Sequence, residues 1–167
     1  MRILARFDSL TGLPNRNQFE EKLTEAIARS VRSKRAMAVM FLDIDHFKDI
    51  NDTIGHHGGD AVLREFATRL QRCVRKTDTV SRLAGDEFTI ILEGLQVDDE
   101  TAVVASKIIG AMQEQFHIGN AARSVTTSIG IAVRRSDETN AEALLRRADE
   151  ALYVAKSAGR NTFESVS

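Results

Sequence analysis

The side chains best suited to chemistry lie in a tight acidic turn. Ala84-Gly85-Asp86-Glu87 separates two apolar, strand-like runs, Val80–Leu83 and Phe88–Leu92. Glycine adopts a positive φ cheaply and aspartate tolerates one, so the pattern predicts a β-hairpin with two adjacent carboxylates at its tip. Considered alone, an ordinary solvated turn is the simpler interpretation of these residues.

A second acidic cluster supports a functional site as strongly as an ordinary solvated turn. Asp43-Ile44-Asp45 ends the apolar run Met37–Leu42, which predicts a strand buried on both faces. Carboxylates about 4 Å apart repel by roughly 4 kcal/mol at an effective dielectric constant of about 20, so convergence of Asp43 with Asp86 and Glu87 implies a cation. Oxygen ligands suit Mg²⁺ or Mn²⁺, and a pair of such ions suits phosphoryl transfer. The alternative is that Asp43 and Asp45 merely end a strand.

Basic and amide side chains are candidate contacts to a nucleotide. Lys156 and Arg160 lie one helical turn apart and could hold phosphates, as could Lys48. Cations are also common at helix C-termini without any ligand. Asn51 and Asp60 together match the Watson–Crick edge of guanine, although each alone is typical of a cap or turn.

A further pair, Arg75 and Asp78, lies just before the predicted hairpin. Arginine binds guanine O6 and N7 bidentately, and an aspartate can accept hydrogen bonds from N1–H and N2–H. The alternative is a local ion pair between positions i and i+3 on the surface, which by itself contributes little to stability.

Composition limits the class of protein. The 167 residues fit one domain with a substantial core, and 43% hydrophobic with 28% charged residues is typical of a globular chain. The net charge of −1 gives no general attraction to nucleic acid, so we expect no nucleic-acid partner. The single cysteine, Cys73, excludes an internal disulfide and is expected in the core. The sequence contains no pattern typical of a signal peptide or of a membrane-spanning helix, so we expect a cytoplasmic domain. If a full-length protein is attached to a membrane, we expect the attachment to lie in other segments.

Hydrophobic periodicity predicts helices and strands that mix without strict alternation, which favours an α+β layer architecture. Besides the central hairpin, we predict a helix capped by Asn15 or Asn17 and ending near Arg32, the strand Met37–Leu42, a short helix His46–Ile50, a loop Gly55–Gly59, a helix capped by Asp60, a helix Asp98–Phe116, a strand Ser124–Val133, a helix from Asn140 to Gly159 and a strand Thr162–Val166.

Seven motifs extend over nearly the whole chain. They are DSLTGLPNR at Asp8–Arg16, FLDIDHFKDIND at Phe41–Asp52, HGGD at His57–Asp60, RLAGDEF at Arg82–Phe88, SIGIA at Ser128–Ala132, ADEALY at Ala148–Tyr153 and KSAGRN at Lys156–Asn161. In this order they resemble the GGDEF family of diguanylate cyclases, and the combination is highly specific.

The resemblance implies a central, mainly antiparallel sheet flanked by helices, a ferredoxin-like palm similar to that of nucleotide cyclases and polymerases. It implies that two GTP molecules condense to cyclic di-GMP with release of two pyrophosphates, in a homodimer whose domains face each other. Residues 8–167 would form the GGDEF domain. Residues 1–7, with apolar side chains at helical spacing, would be an incoming signalling helix or linker from sensory modules, and EAL phosphodiesterase domains often follow such domains.

The resemblance also assigns roles to matching positions. The metal site, with two Mg²⁺ or Mn²⁺ ions per active site, would comprise Asp43, Asp86, Glu87 and the backbone carbonyl of Ile44. Glu87 would also help to deprotonate the attacking 3′-hydroxyl. The GTP contacts would be Asn51 and Asp60 to guanine, with Lys48, Lys156, Arg160 and the backbone amides near His46 and Phe47 to the phosphates. Arg75 and Asp78 match the RxxD inhibitory site, where bound product would limit its own synthesis.

One departure from the family pattern concerns the first glycine of the signature, which is Ala84 here. If that position requires a glycine-only conformation or touches the base, the methyl group costs about 1–3 kcal/mol, whereas in an ordinary β conformation it costs little. The favoured interpretation is an active cyclase. The alternatives are a catalytically weak module that binds GTP or cyclic di-GMP within a longer GGDEF-EAL type protein, and another palm-type nucleotidyl cyclase or polymerase-like enzyme, against which the guanine-reading pair argues.

Overall fold

The described part of the chain, residues 5–97 and 99–166 of this computed structural model, contains four helices and seven strands. In chain order they are α1 (Arg16–Ser33), β1 (Ala36–Ile44), α2 (Phe47–Arg72), β2 (Thr79–Ala84), β3 (Glu87–Leu95), α3 (Glu100–Ala111), β4 (Phe116–Ile118), β5 (Ala121–Arg123), β6 (Thr127–Val133), α4 (Ala141–Ser157) and β7 (Phe163–Ser165). Asn15 and Asn140 cap α1 and α4 with their side chains, as the sequence predicts.

Five of the strands form one sheet in the order β2-β3-β1-β6-β7. Every neighbouring pair is antiparallel except β6 and β7, which are parallel. The predicted hairpin is the β2–β3 pair, and the predicted mainly antiparallel α+β fold is confirmed. A separate two-stranded sheet, β4–β5, was not predicted.

The central strand β1 is buried on both faces, which explains its unbroken apolar sequence. Alternate residues enter two cores: Met40 and Leu42 pack with residues of α2 and α3, whereas Val39 and Phe41 pack with residues of α1 and α4. Because side chains alternate along a strand, Asp43 continues the second set and lies on the face covered by α1 and α4.

A glycine sets the distance between α4 and the sheet. A Cβ atom placed on Gly130 of β6 would lie 2.2 Å from the backbone oxygen of Ala148 and 2.2 Å from the backbone nitrogen of Leu152. Any side chain there would push the helix away from the strand. The close approach lets the last turn of α4, which carries Lys156, reach the end of β1.

The predicted loop at Gly55–Gly59 is wrong, because α2 continues through it as one kinked helix. Only Gly55 is non-helical, with φ 78° and ψ 173°, and Asp60 lies inside the helix instead of capping a new one. Paired glycines usually signal a turn, but Gly58 and Gly59 lie under the side chains of Ile54 and Asn51, which leave no room for a Cβ. Packing across the kink therefore explains both glycines.

Other boundaries also differ from the predictions. Helix α3 ends at Ala111 and not at Phe116 as predicted. Phe116 belongs to β4, where its ring is fully buried and packs against the guanidinium of Arg69. Strand β6 begins at Thr127, three residues later than predicted. Of the apolar start, Met1–Leu4 lie outside the described residues, and Phe7 forms a β-bridge with Pro14 instead of a helical turn. No described helix is both long and apolar enough to span a membrane.

Candidate active site

A cleft of about 520 Å³ opens at the edge of the sheet where β1 ends and the β2–β3 turn begins. Most of the side chains that the sequence singles out line it. The lining residues are Asp43, Ile44, Asp45, His46, Phe47, Lys48, Asn51, Gly85, Asp86, Lys156 and Arg160. Residues from three distant parts of the chain therefore meet in one place, which local sequence patterns could not show.

Asp43 forms the base of this cleft. It lies opposite Glu87 in the pairing of β1 with β3, so the two side chains share a face of the sheet. One carboxylate oxygen of Asp43 pairs with the ammonium group of Lys156. The other, Oδ1, is buried and has no hydrogen-bond partner within the described residues. An orphaned oxygen on a buried carboxylate is the arrangement expected where a cation binds.

Electrostatics at the base of the cleft also favour a cation. Burial raises the pKa of Asp43, with a further rise from the charges of Asp86 and Asp45, while Lys156 opposes the shift. Burial likewise raises the pKa of Asp86, opposed by hydrogen bonds from its own backbone and that of Ile44 and by the charge of Lys156. A divalent cation bound between the ionised carboxylates would relieve both burial and repulsion.

The donor set fits Mg²⁺ or Mn²⁺ bound together with a nucleotide. No group of three His, Cys, Asp or Glu side chains in the described ranges could hold a metal by itself. Magnesium seldom needs such a cage, since it keeps several waters and typically binds through one or two carboxylates plus substrate phosphates. Asp43, Asp86 and the carbonyl of Ile44 match that pattern.

Three cationic side chains line the cleft together with these carboxylates: Lys48, Lys156 and Arg160. We call them the cleft cations. Lys156 is paired with Asp43, whereas Lys48 and Arg160 are exposed and make no ion pair with any described residue. Arg160, three residues beyond the end of α4, adopts a left-handed backbone with φ 64°. His46, which also lines the cleft, adopts φ 56° at the start of α2, where unpaired backbone N–H groups favour anions.

The kink in α2 brings Asn51, one of the predicted guanine contacts, against Gly59. A Cβ atom on Gly59 would lie 1.7 Å from Oδ1 of Asn51, so the Asn51 amide rests directly on the glycine backbone. Asp60 follows Gly59 and is half-buried, although it is not part of the cleft lining. Helical spacing alone does not predict the contact of Asn51 with Gly59, because eight positions separate them and helical neighbours lie three or four apart.

Comparison with known proteins identifies the chain. The family described as "Diguanylate cyclase, GGDEF domain" matches residues 5–162. The chain belongs to the GGDEF family. It is 40% identical to the bifunctional diguanylate cyclase/cyclic di-GMP phosphodiesterase MucR of Pseudomonas aeruginosa over 96% of its length, and 36% identical to the cyclic di-GMP phosphodiesterase NbdA of the same strain over 100%. It spans only 23% and 21% of the lengths of these two relatives.

A solved structure of the GGDEF domain of TpbB from Pseudomonas aeruginosa is 38% identical to this chain. The two superpose with a TM-score of 0.93, covering 96% of this chain and 94% of that one. At this identity and coverage, the likeness extends to sequence as well as fold.

The signature turn of this GGDEF domain is supported by Arg82. Its Nε donates to the carbonyl of Gly85 at 2.8 Å, and its Nη1 lies 2.9 Å from Oδ1 of Asp8. Gly85 carries the positive φ of the turn, 49°, whereas Ala84 has an ordinary φ and is exposed. The alanine therefore introduces no backbone strain. Glu87 is half-exposed and lies 3.9 Å from Arg16.

The second predicted site lies near the opposite end of β3. Asp78 is almost fully buried, and its carboxylate accepts hydrogen bonds from the backbone N–H groups of Arg75 and Glu93. Arg75 is half-exposed, and its guanidinium donates to the carbonyl of Glu93 at 2.6 Å. A groove of about 740 Å³ beside it is lined by Arg29, Arg32, Ser33, Arg35, Arg75, Thr77, Glu93 and Gly94. The sequence had not associated the arginines of α1 with this position.

Asp45 is the site residue whose surroundings the sequence did not predict. Its carboxylate is buried and accepts hydrogen bonds from the hydroxyls of Thr126 and Ser128, both at 2.6 Å, and from the backbone N–H of Asn161 at 3.0 Å. Asp43 and Asp45 are therefore not equivalent ends of one strand. The partners lie 81 to 116 positions away, so no local signal could have revealed them.

Proposed function

We propose that this GGDEF domain is a diguanylate cyclase that joins two GTP molecules into cyclic di-GMP. Each 3′-hydroxyl attacks the α-phosphorus of the other nucleotide; a P–O bond forms, the bond to the β-phosphate breaks, and pyrophosphate leaves with the electron pair. The observation that carries this proposal is the meeting of the buried carboxylate of Asp43 and the half-buried one of Asp86 with three cations in one cleft. Such a cleft can hold a polyphosphate beside a metal ion.

In this proposal Asp43, Asp86 and the Ile44 carbonyl hold Mg²⁺ or Mn²⁺, two ions per site. When bound, these ions neutralise the charge that develops on the phosphates. The cleft cations and the N–H groups at the start of α2 orient the triphosphate, and Asn51 with Asp60 binds the guanine edge. Glu87, half-exposed opposite Asp43, accepts the proton of the attacking hydroxyl. Positioning and charge neutralisation are the main catalytic terms for this reaction.

A dimer follows from the stoichiometry of the reaction. Each chain contributes one such cleft for one GTP, and the product joins two nucleotides through two phosphodiester bonds. Two domains must therefore face each other with their clefts opposed. Turnover per protein molecule should rise with protein concentration until the dimer is saturated. Because the substrate is GTP, we place this domain in the cytoplasm, and the relatives' greater length supports sensory or EAL domains in a full-length protein.

The test is turnover with GTP and Mg²⁺ at high protein concentration, after removal of bound nucleotide, with cyclic di-GMP measured by chromatography. Asp43→Asn and Glu87→Gln should each abolish product without loss of the fold. Asp149→Asn, which removes an exposed carboxylate elsewhere on α4, is the matched control and should retain activity. Retained turnover in Asp43→Asn or in Glu87→Gln would contradict the role assigned to that residue.

We further propose that cyclic di-GMP binds at Arg75 and Asp78 and limits its own synthesis. The exposed guanidinium of Arg75 faces a groove that also contains Arg29, Arg32 and Arg35, which suits a dianionic dinucleotide. Asp78, with its carboxylate engaged by backbone N–H groups, holds the Arg75 loop in place. Progress curves that stall early in the parent protein should continue in Arg75→Ala.

A second candidate function is a regulatory module that binds GTP or cyclic di-GMP without turnover. It is favoured by the similarity to NbdA, which is named for phosphodiesterase activity, and by Ala84 in the signature. Tight binding of either nucleotide by a dimeric protein that forms no product would establish this function and refute the cyclase.

A further inference from the structure

Asp45 connects two of the loops that line the cleft. Its backbone precedes His46, and its N–H donates to the carbonyl of Thr126 at 2.9 Å, which fixes the turn between β1 and α2. Its side chain accepts the N–H of Asn161 in the turn between α4 and β7. Both turns carry groups proposed to hold phosphate.

The turn after α4 needs such support. Arg160 and Asn161 are consecutive non-glycine residues with left-handed backbones, at φ 64° and 48°. This conformation is unfavourable for L-residues and persists only where the surroundings impose it. The Asp45 carboxylate holds one side of the turn, and a hydrogen bond of 2.9 Å from the N–H of Ile129 to the carbonyl of Thr162 holds the other.

The three hydrogen bonds to Asp45 also explain why a buried carboxylate is tolerated there. It is 5% exposed and makes no ion pair with any residue in the described ranges. Two hydroxyls and one backbone N–H satisfy its oxygens, as a buried charge requires. With both oxygens occupied by protein donors, Asp45 is a poor metal ligand in comparison with Asp43, which has a free oxygen.

We propose that Asp45 is a positioning residue that sets the Arg160 turn against the start of α2, and thereby the spacing of the phosphate contacts in the cleft. This inference rests on the proposed binding of GTP in the cleft. Asp45 does not touch the nucleotide; it acts through the turn that carries Arg160 and through the turn that ends at His46.

Two substitutions separate position from charge. Asp45→Ala removes all three hydrogen bonds. In Asp45→Asn, the amide oxygen can still accept from Thr126 and Asn161, while the amide nitrogen can donate to the hydroxyl of Ser128, which is able to accept. Asp149→Ala, an exposed carboxylate on α4, controls for the loss of one negative charge.

The first measurement is amide hydrogen exchange of the nucleotide-free protein, which does not depend on the reaction. Asp45→Ala should accelerate exchange at residues 158–162 by about tenfold or more, while the strands of the sheet stay protected. Asp45→Asn and Asp149→Ala should exchange like the parent protein. Parental protection of the Asn161 amide in Asp45→Ala would overturn the inference.

The second measurement is the affinity for α,β-methylene GTP with Mg²⁺, an analogue in which the bond that breaks is blocked. Asp45→Ala should bind about tenfold more weakly, comparable to the loss of one charge-assisted contact. Combined with Arg160→Ala, it should add less than its single effect, because the part of its effect that passes through Arg160 is already lost. Fully multiplicative effects, or equal damage in Asp45→Asn, would overturn the inference.

The outcomes also distinguish this inference from the proposed function. A parent protein that binds the analogue but forms no cyclic di-GMP from GTP refutes the cyclase alone. Unchanged binding and exchange in Asp45→Ala, in a parent protein that does form product, refutes the role of Asp45 alone. Absence of any GTP binding refutes both.

Discussion

Replacing Gly59 with alanine places a methyl group on the position of the Asn51 amide. The added Cβ would lie 1.7 Å from Oδ1 and 2.9 Å from Cγ of Asn51, and 3.5 Å from the ring of Phe47. Only the Asn51 overlap is prohibitive, and it involves the end of a rotatable side chain. We therefore expect Asn51 to turn to another rotamer while α2 keeps its course.

The effects on stability and on binding should then differ. Alanine within a helix is about 1 kcal/mol more favourable than glycine, which offsets the cost of moving Asn51, so the free energy of unfolding should change little. Loss of the guanine contact should cost about 1–3 kcal/mol of binding free energy, because a polar group of the base loses its partner. This corresponds to roughly 5- to 150-fold weaker GTP binding.

Calorimetric titration with α,β-methylene GTP, with the inosine analogue as comparison, measures the effect. Gly58→Ala is the matched control: it is the neighbouring glycine of the same helix, and the atoms nearest to its Cβ would be those of the Ile54 side chain, at 2.7 Å, and not those of Asn51. It should leave guanine recognition intact. In an Asn51→Ala background, Gly59→Ala should cause no further loss. Parental GTP affinity in Gly59→Ala would refute the assignment of Asn51 to the base.

Three further predictions concern the frame around the site. Gly130→Ala should lower the midpoint of thermal unfolding by several degrees, because its Cβ overlaps backbone atoms of α4 and such overpacking costs about 1–3 kcal/mol. The control is Gly110→Ala, whose Cβ would meet no atom within 4 Å. Equal midpoints for the two variants would contradict the packing argument. The hydrogen bond from Arg147 lowers the pKa of Glu138 below its ordinary 4.5. The ionised Glu138 carboxylate therefore stabilises the fold fully above pH 4.5, and this contribution is lost as the pH falls through the lowered pKa of the folded state. The free energy of unfolding of the parent protein should exceed that of Glu138→Gln near neutral pH, and the difference should vanish in acid. A difference that persists in acid would contradict this prediction. Ala84→Gly should change initial turnover less than threefold or so, since Ala84 is unstrained and exposed; a large gain would show that the methyl group obstructs the nucleotide.

Local sequence patterns were sufficient for the elements that depend on nearby residues. Examples are the apolar run of β1, the Gly-Asp turn and the asparagine caps of α1 and α4. Each depends on interactions within a few positions of the chain, so the sequence predicts the structure there correctly. The combination of motifs likewise led to the GGDEF family, which the family match confirms. The predicted loop failed at Gly58 and Gly59, because contacts with Ile54 and Asn51, and not a turn, require glycine there.

The order of residues along the chain supplies the chemical groups: paired carboxylates, three cations and the Asn51 amide, which we propose contacts guanine. Their arrangement in one cleft depends on the folded structure. Strand register placed Asp43 opposite Glu87, Gly130 brought α4 and Lys156 against the end of β1, and Asp45 joined two turns that are 116 positions apart. These outcomes depend on contacts between distant segments, whose distances follow from packing and not from order along the chain.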